Sequence, residues 1–116
     1  MTTRVFVYGS LLCGGRYHEL VSGSTFAGVA TTPARYTLVD LGPYPALVDG
    51  GDTAVTGEIY QVDAATLEAL DRLEGHPDEY RRVTIRLADG APAETYLMPR
   101  DRARGTPIVS GDWRRR

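Results

Sequence analysis

Arg4-Val5-Phe6-Val7-Tyr8-Gly9-Ser10-Leu11-Leu12-Cys13-Gly14-Gly15 is the stretch on which the reading of this chain turns. An apolar run ending in Tyr8 gives way to glycines and a small hydroxyl residue. That is how a buried strand hands over to a loop whose backbone amides face a cavity. Short Gly/Ser turns also close ordinary core strands, so this stretch needs a partner elsewhere before it means a site. It is not a phosphate loop, because no Lys-Ser/Thr pair follows Gly14 or Gly15. Nor is it a dinucleotide fingerprint, since no long amphipathic helix follows Gly15.

Working outward, the chain has 116 residues, which predicts a single domain spanning 1–116 with a core large enough to need no staples. Its formal net charge of -2 gives a nucleic-acid or membrane-surface role no electrostatic support. All its cationic side chains are arginine, which removes Schiff-base and P-loop lysine chemistry. Cys13 is the one cysteine, so no internal disulfide forms. With no leader-like opening and no apolar run of spanning length, the expected location is the cytoplasm. A monomer is expected.

Residues 16–23 predict one or two helical turns around Tyr17, Leu20 and Val21, ended by Gly23. Residues 24–39 read as one or two strands broken near Pro33. Two prolines flanking Tyr44 predict a loop over 41–45, with a short edge strand over 46–48. A strand is expected over 53–62, with Gly57 marking a bulge or a close approach. Strands are also expected over 79–87 and 93–98. The Arg-rich segment 99–105 reads as a solvated loop or a frayed helical turn, and the three terminal arginines as a disordered, solubilising end.

The clearest element is a helix over 64–73, capped by Asp63 and stopped by Gly75 and Pro77. At about 100° per residue, Leu67, Leu70 and Leu73 share one stripe, and Glu68 and Arg72 form a surface pair on the other side. Glu74 falls inside the apolar stripe, nearly in line with Leu67. Burial and the negative end of the helix dipole both disfavour its charged form, which suits a general acid/base near neutral pH. A frayed last turn would instead release Glu74 into water or onto Arg81 or Arg82.

His18, His76 and Cys13 lack the paired spacings of a metal site, Ser10 lacks the flanks of a nucleophile elbow, and a lone cysteine is usually inert.

Tyr8-Gly9-Ser10-Leu11 after an apolar strand, Gly14, His18, Tyr44-Pro45, Gly57-Glu58-Ile59-Tyr60, Leu70-Asp71-Arg72-Leu73-Glu74-Gly75 and Tyr80-Arg81-Arg82 together resemble the γ-glutamylcyclotransferase-like proteins. The likeness is closest to the γ-glutamylamine cyclotransferase branch and its short bacterial relatives, whose ending is also similar to Ser110-Gly111-Asp112-Trp113. Tyr17 departs from the pattern, standing where the family often carries Asn. The resemblance implies an α+β fold, a small mixed β-barrel with a few helices, and a cavity between the first loop and the end of the main helix. It implies that Tyr8, Gly9, Ser10 and Leu11 bind the γ-glutamyl group and that Glu74 is catalytic. The implied reaction releases 5-oxoproline and an amine from a small γ-glutamyl amine or peptide, with no metal or cofactor. Tyr44 and Tyr80 are candidates for the pocket wall. The rival expectation is a non-catalytic module of the same fold that binds a small molecule or peptide.

Overall fold

A computed structural model describes residues 2–116. Strands β1 (Thr3–Val7), β2 (Thr25–Thr31), β3 (Tyr36–Asp40), β4 (Pro45–Asp49), β5 (Thr56–Val62), β6 (Arg81–Arg86), β7 (Pro92–Leu97) and β8 (Thr106–Pro107) form one mixed sheet, joined by helix α1 (Ala64–Glu74). The sheet runs in the order β2-β5-β1-β7-β4-β3-β8, with β6 added on β7. It curls into a half-barrel, the α+β architecture expected from the sequence.

The opening apolar run becomes a strand buried on both faces. β1 lies antiparallel to β5, with Val5 opposite Tyr60 and Phe6 opposite Ile59, and parallel to β7, with Val5 opposite Glu94. Successive side chains alternate between two core clusters. Val5 and Val7 join Tyr60, Val62 and Tyr96 on the face that α1 covers, whereas Phe6 joins Leu38, Leu47 and Ile59 on the other. Gly57 of β5 is a point of close approach, as expected: a Cβ there would overlap the Val7 carbonyl oxygen.

Helix α1 forms where the sequence predicts. The Asp63 carboxylate accepts the Thr66 N–H at 2.8 Å, and Leu70 is fully buried with Leu67 and Leu73 packed beside it. Burying a leucine of this kind contributes about 1.5–3 kcal/mol. The end is a Schellman motif: Gly75 sits at φ 66°, His76 N–H reaches the Asp71 carbonyl at 2.9 Å and Gly75 N–H the Arg72 carbonyl at 3.2 Å. Glu74 is therefore the last helical residue and is held, not frayed.

The site depends on a fork in the sheet. β6 pairs with β7 along its whole length, from Arg81 opposite Leu97 to Arg86 opposite Pro92. β1 and β4 must therefore share the other edge of β7, β1 at Glu94 and β4 at Leu97. Where β1 peels away, the Tyr8 hydroxyl replaces a ladder rung. It donates to the Tyr96 carbonyl of β7 at 2.7 Å and accepts the Leu47 N–H of β4 at 3.3 Å. Gly9 then passes so close to Pro45 that a Cβ would lie 2.5 Å from its ring.

Two expectations are corrected here. The segment around 46–48 is an interior strand between β7 and β3, not an edge, and its ladder begins at Pro45, opposite Asp40. A proline is tolerated there because the first residue of a strand can do without its N–H. The chain's end is also ordered: Trp113–Arg115 form a short 3₁₀ turn whose Arg114 N–H is capped by the Asp112 carboxylate. Tyr8→Phe removes the hydroxyl that ties the buried Leu47 N–H and Tyr96 C=O groups across the fork. Urea denaturation should show a loss of about 1–3 kcal/mol, and an unchanged midpoint would refute the bridging role.

Candidate active site

Where β1 and β4 diverge, a cavity of about 120 Å³ opens. Its floor is the Tyr8-Gly9-Ser10-Leu11 turn and Pro45, its wall is Tyr44, Tyr80 and Tyr96, and Tyr17 stands at its rim. Leu73, Glu74 and Glu79 close it from the helix side. Among the described residues the lining holds two carboxylates and no arginine or histidine.

The turn is built from its own backbone. Leu12 N–H bonds the Gly9 carbonyl at 3.0 Å and Tyr17 N–H the Ser10 carbonyl at 2.8 Å. His18 adds a bond from Nδ1 to the Leu11 carbonyl at 3.0 Å, and a carbonyl only accepts, so Nδ1 carries the proton. The N–H groups of Gly9, Ser10 and Leu11 donate to no acceptor among the described residues. Successive free amides of this kind form a concavity for anionic oxygens.

Glu74 approaches from the opposite side. Burial first and the neighbouring Glu79 second raise its carboxyl well above the ordinary glutamate value, to about 7. Among the described residues no cation relieves it. Arg82 is engaged elsewhere, donating Nε–H to Asp71 at 2.9 Å and Nη1–H to Glu94 at 2.8 Å. Asp71 also accepts the Tyr96 hydroxyl at 2.7 Å. Burial alone would raise Asp71, but the Tyr96 and Arg82 hydrogen bonds outweigh it and hold its carboxyl below the usual range. Two acids three residues apart on one helix thus have opposite protonation behaviour. The Asp71–Arg82–Glu94 network also ties the end of α1 to β6 and β7, which keeps Glu74 in place.

Tyr80 donates its hydroxyl to the Pro45 carbonyl at 2.9 Å. The Tyr8 phenol is raised above its ordinary value by burial first and by Glu74 second. With its oxygen engaged in the fork, Tyr8 offers the cavity its ring and backbone, not a free hydroxyl.

The model of the family described as "Gamma-glutamyl cyclotransferase, AIG2-like" matches residues 5–115. The chain belongs to this family. A relative from Vibrio cholerae is 44% identical over 109 residues, covering 94% of this chain and 93% of the relative. The zebrafish (Danio rerio) gamma-glutamylaminecyclotransferase C is 41% identical over 95 residues, 74% of this chain and 62% of that protein. The solution structure of Escherichia coli ytfP superposes with a TM-score of 0.72 at 36% identity, covering 96% of each chain.

Every site residue expected from the sequence, Tyr8, Gly9, Ser10, Leu11 and Glu74, lies on this cavity of the cyclotransferase fold, as do Tyr44 and Tyr80. Glu79 and Tyr96 were missed. Tyr96 is signalled only by alternation along β7, and Glu79 by nothing local, because the chain reversal after Gly75 brings it back over Glu74. His76, by contrast, is drawn away: its Nδ1 accepts the Arg82 N–H at 3.0 Å. Among the described residues, no group of three or more His, Cys, Asp or Glu is placed to hold a metal.

The raised Glu74 carboxyl sets a sign for stability. The fold favours the neutral acid, so its contribution is fully present below the ordinary glutamate value and is lost as pH rises through about 7. Glu74→Gln should therefore match wild type near pH 4 and exceed it by about 1–3 kcal/mol at pH 8. In Glu79→Gln, a carboxyl carbon titration of Glu74 should move its midpoint downward. An unmoved midpoint would show that Glu79 does not reach it.

Proposed function

We propose that the protein is a γ-glutamyl cyclotransferase that converts a small γ-glutamyl amine or γ-glutamyl peptide to 5-oxoproline and the free amine, with Glu74 as the proton shuttle. The observation that carries this reading is Glu74 itself, a largely buried carboxyl raised to about 7, on the cavity that the free-amide turn also lines. Family membership and the name of the zebrafish relative support the substrate class.

The chemistry suits the residues. The Glu74 carboxylate takes a proton from the substrate's α-ammonium. The freed amine attacks the δ-carbonyl of the same molecule, closing a five-membered ring. As the tetrahedral centre collapses, the bond to the leaving nitrogen breaks, Glu74 returns its proton to that nitrogen, and the ring nitrogen gives up its second proton to the released amine by way of solvent, leaving the neutral lactam. Nucleophile and electrophile are tethered already, so the protein has only to fold the glutamyl chain and carry a proton from the attacking to the leaving nitrogen. An acid near neutrality is well matched to both halves of that transfer. The amides of Gly9, Ser10 and Leu11 supply donors for the anionic oxygens of the substrate, a task no cationic side chain of the lining performs.

Mass-spectrometric release of 5-oxoproline from a panel of γ-glutamyl amines and peptides tests the reading. Wild type should release it, with kcat/KM rising on the acid side through about pH 7 as Glu74 ionises. Glu74→Gln should lose about a hundred- to ten-thousand-fold in kcat. Background release from wild type across the panel would count against the enzyme, and full activity in the variant against Glu74.

A further inference from the structure

The turn that floors the cavity is fastened from behind by groups that never reach the cavity. Glu58 of β5 is buried, and its Oε1 accepts the Cys13 N–H at 2.9 Å and the Tyr60 hydroxyl at 3.0 Å. Its Oε2 accepts Nη2–H of Arg114 at 3.2 Å, and Nη2 donates as well to the Cys13 carbonyl. Glu58 thus holds the N–H of Cys13, Arg114 holds its C=O, and the two clamps hold each other. Inside the turn, Leu12 N–H on Gly9, Gly15 N–H on Leu12 and Tyr17 N–H on Ser10 connect that anchor to the residues facing the cavity.

Arg114 is delivered by a small built structure and not by a loose tail. The Asp112 carboxylate accepts its N–H at 3.0 Å, Trp113 packs against both core clusters, and the Arg116 guanidinium covers the Trp113 ring at 3.5 Å. An ion pair between two exposed side chains would matter little. Here one partner is buried, so removing the arginine leaves a desolvated carboxylate with two neutral donors.

We propose that Arg114 is a positioning residue for the substrate-holding turn: seated on Glu58 and on the Cys13 carbonyl, its guanidinium fixes the backbone of Gly9, Ser10 and Leu11 in the conformation that presents their free amides to the cavity. The role in catalysis rests on the cyclotransferase reading, but the clamp does not. A lysine delivers charge without the guanidinium's fork, and so replaces the clamp only in part.

The test compares Arg114→Ala and Arg114→Lys in the full chain, by amide hydrogen exchange and by steady-state kinetics on whichever γ-glutamyl compound wild type turns over best. Arg114→Ala should speed exchange of the Leu12, Cys13, Gly15 and Tyr17 amides about ten-fold or more while β1 and β5 keep their protection. Its KM should rise about ten-fold with a smaller change in kcat, as expected for lost substrate holding with the proton shuttle intact. Arg114→Lys should fall between. In a Glu58→Gln background, the same alanine substitution should have less effect, because the two groups act as a unit. Turn exchange that stays unchanged, or that rises equally in β1 and β5, overturns the clamp, and so does a loosened turn with an unaltered KM. If wild type turns over no γ-glutamyl compound, the cyclotransferase reading fails and the exchange pattern alone decides the clamp.

Discussion

The molecule depends on how β7 shares one edge between two strands. A strand has two edges, and β6 takes one of them completely, so β1 and β4 meet on the other. Two parallel strands arriving on one edge leave ladder groups without partners at their junction, and a buried unpaired N–H or C=O costs about 1–3 kcal/mol. The Tyr8 hydroxyl resolves this by donating to Tyr96 and accepting from Leu47. Because the phenol occupies the junction, the chain beyond it is forced off the sheet beside Pro45, where only a glycine fits. The cavity is the space this departure opens. Tyr8 and Gly9 are thus explained first by the sheet and only then by any ligand, which is why a Tyr-Gly turn alone specifies so little.

Three acids around the site show how partners and not burial alone decide charge. Glu58 is buried, yet the Cys13 amide, the Tyr60 hydroxyl and Arg114 outweigh desolvation and hold it below the usual range. Asp71 is held down by Tyr96 and Arg82 against the same opposing effect. Glu74 has neither cation nor hydroxyl donor and faces Glu79 instead, so desolvation prevails. Arg114 and Arg82 are committed to the first two acids, and neither bonds the third. Placing Arg82 on Asp71 and Glu94 therefore serves two ends: it fastens the helix terminus, and it withholds a charge that would pin Glu74 as a carboxylate.

Much of this was legible because it is local. Asp63 and Gly75 bound the helix by capping chemistry, and the 3.6-residue period puts Glu74 on the stripe of Leu67 and Leu70 whatever the rest of the chain does. The strand preceding Gly9 reads equally well from its apolar run. What escaped depends on partners far away in sequence. Pro43 and Pro45 predict a loop and the residues after them a short edge strand, since nothing local shows that β4 joins β7. The terminal arginines read as a disordered, solubilising end, because the anchor of Arg114, Glu58, lies 56 residues earlier. Likewise, whether Arg82 would neutralise Glu74 depended on Asp71 and Glu94 competing for it, a contest that side-chain spacing along the chain cannot settle.

The missing cation in the cavity has a consequence for the proposed chemistry. A γ-glutamyl substrate brings its own ammonium, and that group would be the first positive charge to approach Glu74. An opposite charge within a few ångströms favours the carboxylate, so the substrate itself opposes the desolvation that keeps Glu74 neutral in the empty site. Once the proton has moved, the pair becomes a neutral amine and a neutral acid, the form that the apolar walls of Leu73, Tyr44 and Tyr80 favour. The same environment therefore disfavours the charged ground state and favours the attacking amine. An arginine in the lining would cancel this by holding Glu74 ionised throughout, whereas the backbone amides of the turn, to which we assign anion recognition, bring no titrating or mobile charge of their own.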